Sequence, residues 1–213
     1  MLDEKVEHEI NAQVYTGHGS TILPIIDYLF SLSRQKKEDI DLIAVGAGPG
    51  SFTGIRIGIA TCTGLARALE VKLLGISSLD VLANGALPSV IDIMPLIDAR
   101  KGEVFCARYS PEGKKLSDYM NIKPEQILSQ IKQETLFIGD ALDLLHDELA
   151  KNLGNCYKAG PKHLWYPRAS VLGLMAANIP AEEFTTGVKP IYVRPSDATI
   201  ALQKKLGKKN PPA

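Results

Sequence analysis

The chain predicts a layered α/β fold in two lobes, with a parallel component in the first, on three observations. Apolar strand and helix patterns alternate between residues 42 and 97, the signature of strands joined by covering helices. From Asp98 the pattern changes to short segments separated by turns, Ala99-Arg100-Lys101-Gly102 and Pro111-Glu112-Gly113-Lys114. At 213 residues the chain exceeds the usual single-domain size of about 100–150 residues, which leaves room for a second lobe. The expected division is a first lobe over 1–98, a second over 99–190, and a C-terminal segment with a basic tail over 191–213.

Each element follows from its own pattern. Val6, His8, Ile10, Ala12 and Val14 alternate with polar residues, the period of two of an edge strand with one wet face. Ser20 precedes a helix to about Ser33, with Pro24 near the first turn, where a missing N–H costs least. Leu42–Gly46 is a short buried strand that enters a glycine-rich loop, and a helix from about Thr53 to Glu70 follows. Leu73–Ile76 is a strand, Ser77-Ser78 caps a helix through Ala83, and Ile93–Ile97 is a further strand. Beyond it come a strand over 103–109, a helix opened by Pro124 to about Lys132, the strand Thr135–Ile138, a helix from Asp140 to about Asn152, a loop over 159–168 and a helix capped by Ser170 to Asn178. The Lys-rich end, Lys204 to Ala213, reads as a solvated tail.

Composition narrows the function. Hydrophobic residues at 45% and charged residues at 23% describe a chain that folds on its own core. Twenty-four basic residues balance twenty-four acidic ones, so the basic excess that tight nucleic-acid binding requires is missing. The cysteines, Cys62, Cys106 and Cys156, are far apart with no Cys-x-x-Cys, which suggests reduced thiols and neither a disulfide framework nor a zinc ribbon. The most membrane-like stretch, Ile57–Ala66, falls short of the roughly 20 apolar residues a span needs, so we expect a cytoplasmic protein without a membrane partner.

The loop Gly48-Pro49-Gly50-Ser51-Phe52-Thr53-Gly54 joins a buried strand to a helix start, where free N–H groups favour an anion. It nevertheless lacks the Lys of a P-loop, the third glycine of a dinucleotide fingerprint and the flanking glycines of a nucleophile elbow, so a structural tight turn is the better reading. At about 100° per residue, the following helix divides into three arcs. Ile55, Ile59, Cys62, Leu65, Ala66 and Leu69 face the sheet, whereas Arg56, Thr63, Arg67 and Glu70 form a polar strip. Gly54, Ala60, Thr61, Gly64 and Ala68, with Ile57 among them and Gly58 beside them, form an arc of small residues that admits a neighbouring helix. The preceding helix is apolar around about 220° of its circumference, including Ile22, Ile25, Ile26 and Leu29, roughly twice the stripe that one sheet requires. These two helices either pack on each other within the molecule or build a subunit interface.

Catalytic groups do not assemble into a set. His8, His18, His146 and His163 are scattered, with His8 read as a core residue and His18 as a contact at a helix entry. Asp98 and Arg100 flank a hairpin turn, with no base, nucleophile and orienting group alongside them.

The run Gly48-Pro49-Gly50-Ser51-Phe52-Thr53-Gly54-Ile55-Arg56-Ile57-Gly58 resembles the signature of the TsaB family, also called YeaZ. Supporting matches are His18 with Leu23-Pro24 and Asp27, Gly75-Ile76-Ser77-Ser78-Leu79, Ile97-Asp98-Ala99-Arg100-Lys101-Gly102-Glu103-Val104 and Pro190-Ile191-Tyr192-Val193-Arg194. The resemblance is dense over residues 17–109, returns at 188–198, and is weak over 110–187.

The resemblance implies a two-lobed actin-like ATPase or sugar-kinase fold, RNase H-like in its lobes. It also implies a role in making N6-threonylcarbamoyladenosine at position 37 of tRNA. On that reading the chain is a non-catalytic scaffold that forms a heterodimer with a TsaD-type catalytic subunit through its first two helices and recruits a TsaE-type ATPase. It carries no cofactor, metal and ATP reside on the partner subunits, and tRNA is held only through the complex. A homodimer would use the same helices, and a metal- or ATP-dependent enzyme of the same superfamily, peptidase-like or phosphotransferase, is the alternative. Family chains open with a buried strand resembling Ile-Leu-Ala-Leu-Asp-Thr-Ser and then a second strand, whereas this chain starts at about the next turn, Leu2-Asp3-Glu4-Lys5. The first lobe is therefore expected to lack its first two strands, with Met1 an internal start or the sequence truncated.

Overall fold

The computed structural model describes residues 5–12, 18–33 and 35–195. Six α-helices and seven strands are found among them: α1 (His18–Leu32), β1 (Leu42–Gly48), α2 (Phe52–Leu69), β2 (Lys72–Ser77), α3 (Ser78–Gly85), β3 (Asp92–Asp98), β4 (Val104–Cys106), β5 (Met120–Ile122), α4 (Pro124–Gln130), β6 (Thr135–Ile138), α5 (Leu142–Leu153), β7 (Tyr157–Ala159) and α6 (Ala169–Ala177). β1 and β2 form a two-stranded parallel sheet, and the remaining five strands form a second sheet in the order β5-β4-β3-β6-β7. β3, β6 and β7 run parallel, while β4 and β5 turn back antiparallel. No helix among the described residues is long and apolar enough to cross a membrane.

The small parallel sheet is tightened by a close approach. Gly75 of β2 lies opposite Val45, and a Cβ on it would stand 2.5 Å from Val188 Cγ1 and 3.3 Å from the Ala47 side chain. Residue 75 therefore admits only glycine without a shift of its neighbours. α2 covers this sheet with Ile59 and Ala66 buried, and Ser51 caps its start by accepting the Gly54 N–H at 3.3 Å. Leu73 and Thr185 exchange two backbone hydrogen bonds of 2.8 Å, so the chain beyond α6 returns to the free edge of β2.

β3 shows how one strand serves two cores. Met94 and Leu96 point to α4 and α5, among Ile127, Phe137, Leu142 and Leu149. Ile93 and Ile97 point the other way, toward Leu79, Leu82 and Ala83 of α3. α3 thus sits between the sheets and touches strands of both. Its Asp80 accepts hydrogen bonds from Tyr109 Oη at 2.6 Å and Tyr119 Oη at 2.7 Å, a polar link inside the second core. Burial first, and the neighbouring Asp80 carboxylate second, push the Tyr109 phenol up.

Several expectations need correction. Ile93–Ile97, grouped with the first lobe in sequence, is the central strand of the second sheet. The anticipated strand over 103–109 is interrupted: β4 stops at Cys106, and Tyr109 rejoins Ile93 by an isolated bridge. α1 begins at His18, so Pro24 lies inside the helix, beyond the first turn. The alternating segment from Val6 forms no strand over residues 6–12, and His8 is exposed. Val14, the last of the alternating residues, lies outside the described ones, as do the basic tail residues from Lys204.

Over residues 6–12 that N-terminal segment is anchored by a side chain. Glu9 accepts from the Ser170 N–H at 2.9 Å and the Ser170 hydroxyl at 2.8 Å, and pairs with the Arg168 guanidinium. Ser170 is consequently not the cap of α6. It sits one residue inside the helix, and a carboxylate from the opposite end of the chain serves the helix N-terminus. Burial acts to raise the pKa of Glu9, but the hydrogen bonds from Arg168 and Ser170 and the Arg168 charge outweigh it and hold the carboxyl at about 2.

The folded-state value lies below the unfolded one, so this clamp contributes fully above pH 4.5 and is lost as pH falls through about 2. Urea midpoints measured against pH should therefore fall less for Glu9→Gln than for the wild type between pH 4.5 and 2, the variant being the less stable of the two at neutral pH.

Candidate functional site

The glycine loop leaves β1 through Gly48, whose φ is +100°. A Cβ there would meet Ile55 Cδ1 at 2.8 Å and the Ile191 carbonyl oxygen at 3.1 Å, so conformation and space both require glycine. The reason is the chain that crosses above: Ile191 donates its N–H to the Ala47 carbonyl at 2.7 Å. The signature loop and the Pro190–Arg194 motif are therefore two halves of one contact.

Side chains extend that contact. Phe52 and Tyr192 stack with ring centroids 5.4 Å apart and planes inclined by 29°. The Arg56 guanidinium lies 3.9 Å from the Phe52 centroid and donates through Nε to Tyr192 Oη at 2.8 Å. Two residues further on, Arg194 Nη1 reaches the Ala99 carbonyl at 3.2 Å and the Glu103 carboxylate at 3.1 Å. The segment 190–195 consequently joins the loop of the first sheet to the β3–β4 turn of the second.

That turn carries unusual backbone. Arg100 and Lys101 have φ of +62° and +58°, followed by Gly102 at +73°. Left-handed conformations at two residues with side chains cost of order 1 kcal/mol each and persist where neighbours impose them. Asp98 is the neighbour: it accepts the Arg100 N–H at 2.7 Å and pairs with Arg100 Nη1 at 3.0 Å. Asp140 in turn accepts the Asp98 N–H at 3.0 Å. Burial pushes the Asp140 carboxyl up, against the hydrogen bond from the Asp98 N–H, and the Asp98 charge adds to the rise. Both carboxylates are thus engaged in holding the backbone of the turn.

Between loop, turn and crossing segment lies a cleft of about 810 Å³. The sequence-singled residues Pro49, Gly50, Ser51, Phe52, Thr53, Arg56, Asp98 and Arg100 all line it. Tyr192 and Asp140 also line it, and neither was singled out from sequence. Tyr192 carried a signal, its place in a matched motif, whereas Asp140 read only as a helix start. His18 is the first residue of α1.

The other candidate surface lies on the helices. Ile22, Ile25, Ile26 and Leu29 are half-buried, but Leu23, Tyr28 and Leu32 of α1 remain 47%, 58% and 49% exposed. Gly19 of α1 approaches α2, its Cβ position 3.8 Å from Ile57 Cγ2. Along α2, Ala60, Gly64 and Ala68 are exposed, and a Cβ on Gly64 would meet nothing within 4 Å among the described residues. Thr61 and Ile57 are half-buried. Gly58 is turned toward Val45 of β1, and Gly54 lies against the capping Ser51.

Gly48→Ala forces a left-handed residue against Ile55 and the Ile191 carbonyl. It should lower stability by about 1–3 kcal/mol in urea unfolding, with Tyr192 becoming more accessible to quenchers of its fluorescence as the crossing segment lifts.

The family model described as "TsaD: tRNA N6-adenosine threonylcarbamoyltransferase" matches residues 10–202. A curated relative in Escherichia coli, named tRNA threonylcarbamoyladenosine biosynthesis protein TsaB, is 32% identical over 90% of this chain and 85% of its own length. Among solved structures, YeaZ from Pseudomonas aeruginosa superposes with a TM-score of 0.67 at 26% identity, covering 82% of this chain and 84% of that one. A second Pseudomonas aeruginosa structure, described as an uncharacterized protein with similarity to peptidase YEAZ, superposes with a TM-score of 0.68 at 24% identity and 82% and 83% coverage, and shows the shared fold. With a two-lobed α/β architecture of the actin-like kind, a signature loop at β1–α2 and matches along nearly its whole length, the chain belongs to the TsaB (YeaZ) family, within the group that the TsaD model describes.

Proposed function

We propose that this protein is a scaffold subunit in the biosynthesis of N6-threonylcarbamoyladenosine in tRNA, without chemistry of its own. On this reading it pairs with a TsaD-type catalytic subunit across α1 and α2, and a TsaE-type ATPase joins the pair. Its relatives' names supply the process. The observation that carries the pairing is the open face of α2: Ala60, Gly64 and Ala68 are exposed on a helix whose neighbour, α1, leaves Leu23, Tyr28 and Leu32 in solvent. Small residues let a partner helix approach the backbone, and the flanking apolar side chains supply the burial. Support for a role without chemistry comes from Asp98 in the cleft, whose two carboxylate oxygens are engaged by the Arg100 N–H and the Arg100 guanidinium. A homodimer through the same helices buries the same patch and competes with the catalytic partner.

Light scattering after size exclusion, on the chain alone and mixed with a TsaD-type subunit, should give a one-to-one complex. Gly64→Leu should leave the stability of the chain unchanged or raise it by up to about 1 kcal/mol, because the position is open and leucine is the better helix former. The same variant should weaken pairing at least tenfold. Unchanged association would place the partner elsewhere and sink the α2 assignment.

A further inference from the structure

The open side of α2 follows one winding row. Phe52, Arg56, Ala60, Gly64 and Ala68 succeed one another at intervals of four and are all exposed, and Arg67 is exposed beside the end of the row. Arg56 and Arg67 are eleven positions apart, about three turns of helix, so both side chains leave the same face about 16 Å apart along the axis. Ala60 and Gly64 lie between them.

Neither arginine is neutralised within the described chain. Arg56 donates through Nε to Tyr192 Oη at 2.8 Å and lies on the Phe52 ring, which fixes its direction without supplying a carboxylate. Arg67, in the last turn, makes no hydrogen bond or ion pair among the described residues, with Glu70 three positions on included. The other helix of this face, α1, offers one carboxylate, Asp27, and Lys37 occupies it at 2.6 Å. The face is therefore basic on a chain whose overall charge is zero.

We propose that Arg56 and Arg67 make this face select an acidic helix of the catalytic subunit over a second copy of the chain. Carboxylates on either side of the point where that helix crosses Ala60 and Gly64 would meet both guanidiniums, and the aromatic–cation platform of Phe52, Tyr192 and Arg56 presents one of them already oriented. A second copy brings no such groups. Ala60 and Gly64 are centred midway between the two arginines, so a two-fold pairing on that patch with the α2 helices antiparallel sets Arg56 against Arg67 of the other copy, at both ends. Like charges facing across an interface suppress the wrong pairing. The small residues admit either helix, and the arginines decide between them.

This inference rests on the pairing proposed above, and the experiment keeps the two apart. Sedimentation equilibrium on the chain alone, and on the chain mixed with a TsaD-type subunit, measures both associations. Raising salt from about 50 to about 500 mM should weaken the one-to-one complex roughly tenfold and strengthen self-association, since screening removes an attraction from one and a repulsion from the other. Arg67→Glu should weaken the complex at least tenfold and strengthen self-association, because each meeting across the two-fold becomes an opposite-charge pair. Adding Arg56→Gln to that variant should abolish the gain in self-association. Arg67→Gln keeps the test readable if the acidic variant loses the end of α2: it should weaken the complex by a smaller factor at an unchanged urea midpoint. Failure of the parent chain to pair with the TsaD-type subunit would overturn both readings. A complex that Gly64→Leu disrupts, but that Arg67→Glu, Arg67→Gln and salt leave unchanged, would overturn selection by charge and leave the scaffold reading standing. Self-association of a folded Arg67→Glu variant no stronger than the parent's would overturn the facing of the two arginines.

Discussion

The hydrogen bond from the Ile191 N–H to the Ala47 carbonyl is the contact on which the cleft depends. It brings the end of the chain across the exit of β1 and forces residue 48 to be a glycine with positive φ. It also sets Tyr192 against Phe52 and Arg56, and Arg194 against the β3–β4 turn. Three of the sequence motifs that mark the family are thus parts of one junction between the two sheets, held by a mixture of backbone, aromatic and charged contacts. None of these is strong singly in partly exposed surroundings, and their joint geometry defines the cleft.

A second constraint is the placement of α3 between the sheets. Its buried Leu79, Val81, Leu82 and Ala83 face in different directions, and Asp80 ties it to Tyr109 and Tyr119 of the second core. The helix between the two sheets is therefore apolar on several faces, while α2, on the outer side of the first sheet, buries only Ile59 and Ala66. That difference explains why α2 keeps an open arc of small residues. A helix covered on one side only, with glycine and alanine on the other, leaves surface that the other described residues do not fill. The cleft thus presents charge and rings, and the helical face small residues and apolar area.

Much of this was legible in the residues before any coordinates. The limits of α2 were set locally: Ser51 caps its start, and Glu70 ends it in a left-handed conformation. β1, β2 and β3 were apparent because each is a short apolar run between turn residues. The arcs of α2 followed from its periodicity, and Ala60, Gly64 and Ala68 do lie open. Glycines 48 and 75 sit in the matched motifs, but the Ile191 carbonyl and the Val188 side chain that crowd them are more than a hundred positions away in sequence.

What the sequence by itself determined, then, is whatever depends on hydrogen bonds and side-chain spacing within a few residues: helices, capped ends, buried strands and the family signature. Tertiary structure decided the rest. β3 joins the second sheet, because a strand buried on both faces carries no mark of which neighbour it pairs with. Residues 6–12 alternate as a strand would, yet a strand exists only when a neighbour accepts its backbone, and here the Glu9 carboxylate on α6 provides the anchor. The aromatic–cation platform is likewise invisible in one dimension, since Arg56 and Tyr192 stand 136 positions apart and meet only because the chain returns over the end of β1.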